Sequence, residues 1–195
     1  MEQDGSGMKW LRKKRVLLLL FVSFVGLLFL SSNWMTLLYP IEYRDEIRKH
    51  ADYYDVDPFL VASIIRVETN FKPGKESKKG ALGIMQLMPD TANWAMEMAK
   101  LPSVTLSSVK NEVDTNIQLG TWYIQNLHQE MDGNPIAAIA AYNAGPGNVK
   151  NWIKKGMWDG TYENVKRIPV GETRHYVQRV IYYYNQYTSV YNDRF

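Results

Sequence analysis

The sequence predicts a mainly α-helical domain preceded by one membrane-spanning helix, and three observations carry that expectation. Residues 16–30, VLLLLFVSFVGLLFL, hold no charge, and the uncharged run continues through SSNWMTLLYPI to Ile41. Beyond Pro40, apolar residues recur at three- and four-residue spacing, and no alternating run is long enough for a strand. Helix signals punctuate that part of the chain, with Asp57-Pro58 the strongest start and Asp132-Gly133-Asn134-Pro135 the strongest stop.

A membrane-spanning helix needs roughly 20 mainly apolar residues. Residues 16–38 supply that length, with Trp34 and Tyr39 near the outer interface. Lys9, Arg12, Lys13, Lys14 and Arg15 precede the run. By the positive-inside tendency they keep residues 1–15 cytoplasmic as a basic tail and place residues 41–195 outside the cytoplasmic membrane. A cleaved signal peptide starts in the same way, but cleavage after Ser32 would leave Leu30 at the third position back, against the small-residue pattern. A retained, single-pass anchor is therefore the expectation.

The chain has no cysteine, and so no disulfide, thiol nucleophile or lipid-attachment cysteine. Its net charge of +3 belongs to the tail: residues 1–15 hold five cations and two acids, leaving 18 basic against 18 acidic residues beyond. An electroneutral outer domain argues against a nucleic-acid-binding face.

In the outer domain, IEYRDEIRKHADYYDV reads as a first helix and Asp57-Pro58 opens a second. KPGKESKK, residues 72–79, is polar with Pro and Gly and reads as a loop. Asp90 or Thr91 is expected to cap a helix running to about Ala99, with LPSVTLSSVKNE as a connector after it. From about Asp114 a long helix carries Ile117, Gly120, Ile124, Leu127 and Met131 at helical spacing. IAAIAAYNAGPG then combines small side chains with a Gly-Pro-Gly stop, as expected of a helix in close contact with its neighbours. A short helix near residues 149–154 and a final helix with Val177, Val180, Ile181 and Tyr184 complete the pattern.

Glu68 is the anomaly in that pattern. Val61, Ile64, Ile65 and Glu68 follow i, i+3, i+4, i+7 and share one helix face. A carboxylate in apolar surroundings loses hydration, and its pKa rises from about 4.3. A raised pKa makes a proton donor at neutral pH, which glycosidases place beside the bond they break. The plainer alternative is a surface residue at the helix end, or a partner for Arg66 or a lysine.

VASIIRVETNF, SKKGALGIMQLMP, NIQLG, AYNAGPGNV and ETRHYV resemble, in order and spacing, the successive motifs of the soluble-lytic-transglycosylase (SLT) family over about residues 43–187. The resemblance implies a goose-type lysozyme-like catalytic domain. By it, Glu68 corresponds to the sole catalytic acid/base, with Thr69 where the family usually has serine. Ser77 matches a serine close to that glutamate, and Gln86 and Met88 match residues lining the saccharide groove. Tyr142 and Asn143 match the pair that approaches the reacting sugar, and Glu172 matches a glutamate at the groove, with Tyr176 in the same block. Each also has an ordinary structural role open to it: Ser77 in a polar loop, Met88 in the core, Tyr142 as a core aromatic, Asn143 at a turn, Glu172 as a first-turn acid.

The activity implied by the resemblance is cleavage of the β-1,4 bond between N-acetylmuramic acid and N-acetylglucosamine in peptidoglycan, leaving 1,6-anhydromuramoyl ends. Peptidoglycan strands are the implied partner, and no cofactor is required. A hydrolytic muramidase of the same fold and a non-catalytic glycan-binding scaffold are the rival readings. His50, His128 and His175 show no spacing that pairs them as metal ligands. Trp94, Trp122, Trp152 and Trp158 are open between sugar stacking and core.

Overall fold

The computed structural model describes residues 5–30, 34–192 and 195. The chain divides into two compact units, Met1–Pro40 and Ile41–Phe195.

In the first unit, α1 covers Gly5–Leu30 and α2 covers Trp34–Leu38. Side chains from Val16 to Leu27 are exposed apart from the half-buried Val25. Among the described residues no helix is long and apolar enough to cross a membrane. Within the span expected over residues 16–38, the described helices are α1, up to Leu30, and α2, Trp34–Leu38. Residues 31–33 of the expected span lie outside the described residues.

In the second unit, α3 (Arg44–Tyr54), α4 (Pro58–Glu68), α5 (Pro89–Met98), α6 (Leu106–Asn111), α7 (Val113–Glu130), α8 (Pro135–Ala144), α9 (Pro146–Lys154) and α10 (Gly171–Tyr191) follow in order, with a 3-10 turn at Val165–Arg167. Among the described residues, extended pairing is limited to two isolated antiparallel bridges, Glu76 with Leu82 and Leu82 with Leu87. The unit is mainly helical, as its periodicity implies.

Local chemistry sets the helix ends. The Asp57 carboxylate accepts from the Phe59 N–H at 2.8 Å, with Pro58 in the first turn. The Asn134 side chain accepts from the Ile136 and Ala137 N–H groups at 3.0 Å each, so residues 132–135 both stop α7 and start α8. Three expectations need correction. α5 starts at Pro89, without a side-chain cap from Asp90 or Thr91; the fixed φ of proline, with no N–H to satisfy, suffices. The connector expected over residues 101–112 contains α6, held by a reciprocal capping box between Thr105 and Ser108. α9 starts at Pro146, because Gly145, at φ +82°, ends one helix and begins the next.

α4 packs chiefly on α10, and α8 packs on α7, α9 and α10. Val61, Ile64 and Ile65 of α4 are buried with Val177 and Val180 of α10, and burying such aliphatic side chains contributes roughly 1.5–3 kcal/mol each. Ala137, Ala138, Ala140 and Ala141 let α8 sit close to its neighbours. Trp152 and Trp158 are core residues, whereas Trp94 is 38% exposed.

Candidate active site

Glu68 is the last residue of α4. Its three helix-face companions are buried, so the phase of the helix turns the carboxyl inward just where the helix stops. Thr69 fixes that end. Its backbone N–H donates to the Ile65 carbonyl at 3.0 Å, and its hydroxyl, itself buried, donates to the Ile84 carbonyl at 2.7 Å. The hydroxyl thus ties α4 to the segment carrying Gln86 and Met88.

Burial pushes the Glu68 carboxyl up from an ordinary 4.5 to about 7; the Tyr176 hydroxyl and Arg179 oppose the rise, and the Glu172 carboxylate adds to it. The Tyr176 contact is a loose one. Its buried hydroxyl favours the ionised carboxylate, yet makes no hydrogen bond of normal geometry. The hydroxyl is near Glu68 and not aligned on it. Both Tyr142 and Tyr176 are pushed well above an ordinary tyrosine by burial first and by the Glu68 charge second. Two neutral phenols therefore stand beside the acid.

Residues 75–88 form a compact double-backed segment. The Leu82 and Leu87 backbones exchange hydrogen bonds of 2.8 and 3.0 Å, and the Gly83 N–H donates to the Lys75 carbonyl at 2.8 Å. Buried Asn116 of α7 clamps it. Its Oδ1 accepts from the Met85 N–H at 2.8 Å, while Nδ2 donates to the carbonyls of Val109 at 2.7 Å and Leu82 at 3.1 Å. A Cβ on Gly83, which has φ +73°, would lie 2.1 Å from Asn116 Nδ2 and 2.5 Å from the Val109 carbonyl oxygen. Only glycine fits this clamp. Gln86 is also in the left-handed region, at φ +52°, and its Nε2 donates to the Gly83 carbonyl at 2.8 Å. Strain of this kind persists where surrounding structure over-determines it.

Ser77 Oγ accepts from the Ala81 N–H at 2.9 Å and the Lys79 N–H at 3.3 Å. The Tyr142 hydroxyl donates to the Met85 carbonyl at 2.9 Å, so α8 supports the same segment. Asn143 Oδ1 accepts from the buried Thr173 hydroxyl at 2.8 Å, which orients the amide with its NH2 end as the free donor. Glu172 lies in the first turn of α10 with its side chain 71% exposed, 3.8 Å from the Lys79 ammonium.

Glu68, Ser77, Gln86, Met88, Tyr142, Asn143 and Glu172 all line one cleft of ≈ 410 Å³, together with Lys78, Lys79 and Ala81. The sequence-derived candidates, scattered over more than 100 positions, thus meet in a single place. Thr69, Thr173, Tyr176 and Arg179 also act on it, and sequence reasoning left them out of the site. A signal existed for two of these: Glu172, Tyr176 and Arg179 follow i, i+4, i+7 on α10 and share the face that carries Glu172.

Chemically, the cleft offers a carboxyl able to give and take a proton near neutral pH, an oriented amide, a hydroxyl and a partly apolar wall at Met88. The arrangement suits acid/base work on a polar substrate.

The profile of the transglycosylase SLT domain matches residues 45–165. The soluble lytic murein transglycosylase of Escherichia coli K12 is 34% identical over 158 residues, covering 80% of this chain and 24% of that protein. The membrane-bound lytic murein transglycosylase C of Edwardsiella ictaluri is 31% identical over 159 residues, covering 71% of this chain and 44% of its own length. The crystal structure of an inactive glutamate-to-glutamine mutant of lytic transglycosylase Slt from Pseudomonas aeruginosa superposes with a TM-score of 0.72 at 32% identity, covering 80% of this chain and 25% of that one. The chain spans about a quarter of the length of the first of these relatives.

Proposed function

The chain belongs to the transglycosylase SLT domain family, and we propose that its helical unit, goose-type lysozyme-like in fold, is a peptidoglycan lytic transglycosylase. It cleaves the β-1,4 bond between N-acetylmuramic acid and N-acetylglucosamine without water and leaves 1,6-anhydromuramoyl ends. The observation that carries this reading is a single enclosed carboxyl, Glu68, held near pKa 7 in a cleft whose other carboxylate, Glu172, is exposed at the rim.

Glu68, protonated, donates to the glycosidic oxygen as the leaving sugar departs. The substrate's own N-acetyl group stabilises the electron-poor anomeric carbon, so a second enzyme carboxylate is unnecessary. Glu68, now ionised, takes the proton from the 6-hydroxyl, which closes on the anomeric carbon. One group serves both steps because its pKa lies near the working pH. The free NH2 of Asn143 holds the muramoyl amide, while Tyr142, Gln86, Met88 and Ser77 position the sugars on either side. Tyr176 stands ready to tighten onto Glu68 once it ionises.

A hydrolytic muramidase would need a base to activate water. Glu76 is engaged with Lys110 at 2.6 Å and is not part of the cleft lining, and Glu172 faces solvent, so neither is set for that role. Mass spectrometry of digested peptidoglycan decides between them: anhydro ends are expected, and reducing muramic ends from intact glycan would overturn the reading. A non-catalytic scaffold predicts that wild type and Glu68→Gln behave alike in every assay.

The N-terminal unit is, on this reading, a membrane attachment that keeps the helical unit on the extracytoplasmic side. Its support is the exposed apolar surface of Leu17, Leu18, Leu19, Leu20, Phe21, Val22, Phe24 and Leu27 in α1, next to the cations Lys13, Lys14 and Arg15. The protein should remain with membranes after a high-salt wash, and release of a mature chain starting near residue 33 would overturn the attachment.

A further inference from the structure

We propose that Lys78 and Lys79 form a carboxylate-binding wall of the cleft, which takes the acidic peptide carried by the muramoyl sugar; this rests on the cleft being a peptidoglycan site. The lactyl group of muramic acid bears a short peptide with free carboxylates, so any cleft that holds this sugar next to its acid/base must also accommodate that peptide.

The wall is built, not a chance of two flexible side chains. Lys78 and Lys79 are the central residues of a turn in which the Gly80 N–H donates to the Ser77 carbonyl at 2.9 Å. The Ser77 N–H donates to the Ala81 carbonyl at 2.9 Å, and Ser77 Oγ accepts from the Ala81 N–H at 2.9 Å. Both lysines therefore leave a fixed backbone beside the cleft, and both line it. The segment of residues 72–80 holds four lysines and one acid, Glu76, which Lys110 engages at 2.6 Å. That leaves Glu172 as the acid opposite Lys79.

At 3.8 Å, with both side chains mostly exposed, the Lys79–Glu172 pair is too long for a firm charge-assisted hydrogen bond and is readily displaced. Among the described residues Lys78 forms no ion pair. The domain is electroneutral overall, so this excess of positive charge is local to the wall next to Glu68. A substrate carboxylate replaces Glu172 as the partner of Lys79 and finds Lys78 beside it.

The test uses the full-length chain carrying Glu68→Gln, which binds without turnover, and glycan strands with peptides intact or stripped by an amidase. Peptide-bearing strands should bind roughly three- to tenfold more tightly than stripped ones, the range expected of two exposed charge contacts. The gap should shrink at high salt, close in Lys78→Ala/Lys79→Ala and persist in Lys78→Arg/Lys79→Arg. In the active enzyme the same gap should appear in KM and not in kcat. No gap in the starting protein, or an unchanged gap in the alanine pair, overturns the proposal. Equal competition by a peptide-free polyglycerol phosphate also overturns it, since the wall is then a general anion surface. Stripped strands bound and cut to anhydro ends with no peptide effect sink the lysine wall alone, whereas absence of binding and of anhydro ends with both substrates sinks the peptidoglycan reading as well.

Discussion

Two cavities of equal size, ≈ 410 Å³ each, open at different ends of the same helices. The cleft takes the C-terminal ends of α4 and α8 and the first turn of α10, through Glu68, Tyr142, Asn143 and Glu172. The other cavity takes the N-terminal ends of α4 and α8 and the middle of α10, through Asp57, Leu60, Ile136, Ile139, Ile181 and Tyr184. It is walled by aliphatic side chains, and its acids, Asp55 and Asp57, lie exposed at the rim. Volume does not separate the two; what does is an enclosed carboxyl with neutral phenols around it. The helix ends explain the difference, since a side chain at the end of α4 keeps the inward phase of its apolar stripe while the chain beyond it turns away and leaves space.

The largest expected effect follows directly. Glu68→Gln keeps size and shape but removes the transferable proton, and wall cleavage should fall by roughly 10²–10⁴-fold, measured as anhydro ends released. Ile139→Val in the other cavity should leave it unchanged. Stability should move the opposite way. With its folded pKa near 7 against 4.5, the protonated Glu68 favours the fold fully below pH 4.5, and that contribution is lost as pH rises through 7. Denaturant titration of Glu68→Gln should show stability close to wild type near pH 4.5 and higher by up to roughly 3 kcal/mol at pH 8.

Next in size is the clamp behind the cleft. Asn116→Ala removes three buried hydrogen bonds and strands the Met85 N–H and the Val109 carbonyl, while the Leu82 carbonyl keeps the Leu87 N–H, a loss of roughly 3 kcal/mol visible in thermal unfolding. Residual activity at a temperature where the variant is folded should also drop, because Ser77, Gln86 and Met88 ride on the released segment.

The pH dependence sharpens the contrast further. If the proton on Glu68 starts the reaction, kcat/KM should fall on the alkaline side with an apparent pKa of about 7. The Tyr176 hydroxyl lowers the Glu68 pKa, so Tyr176→Phe should shift that limb upward. It should cost little stability, because the hydroxyl has no well-formed hydrogen bond to lose. A profile flat to pH 9 would separate Glu68 from proton transfer.

Most of the helical pattern was legible in the sequence because it rests on local rules: the stripe of Val61, Ile64 and Ile65, the caps at Asp57 and Asn134, and the small residues of α8. α6 was not, since its capping box uses Ser108 where glutamate or glutamine is the usual signal. The membrane span expected over residues 16–38 has no counterpart among the described helices, and residues 31–33 within it lie outside the described residues. At the site, periodicity exposed Glu68 as an anomaly, but its companions became visible only through family resemblance. Nothing local in GALGIMQLM says that residue 86 adopts a left-handed backbone; that follows from Gly83 meeting Asn116, and Met85 meeting Gly120, across more than 30 positions. Thr69 and Thr173 stayed hidden for the same reason, as buried hydroxyls whose partners are distant in the chain.

The smallest predicted effects come from a matched pair of tyrosines, one at each cavity. The Tyr142 hydroxyl donates to the Met85 carbonyl at 2.9 Å, and the Tyr184 hydroxyl donates to Asp57 Oδ2 at 2.7 Å. By length alone the Tyr184 bond is the stronger, and a charged acceptor strengthens it further. Burial reverses the order. Asp57 is exposed, and water replaces the lost donor in Tyr184→Phe, so stability should change by less than about 1 kcal/mol. In Tyr142→Phe the Met85 carbonyl is left without its donor inside the protein, at a cost of about 1–2 kcal/mol. Only that variant should touch catalysis, lowering kcat roughly tenfold by loosening the segment that carries Gln86 and Met88. Equal activity losses in the two variants would mean that the cavities are coupled through α4, α8 and α10, and that the apolar one is part of the working enzyme.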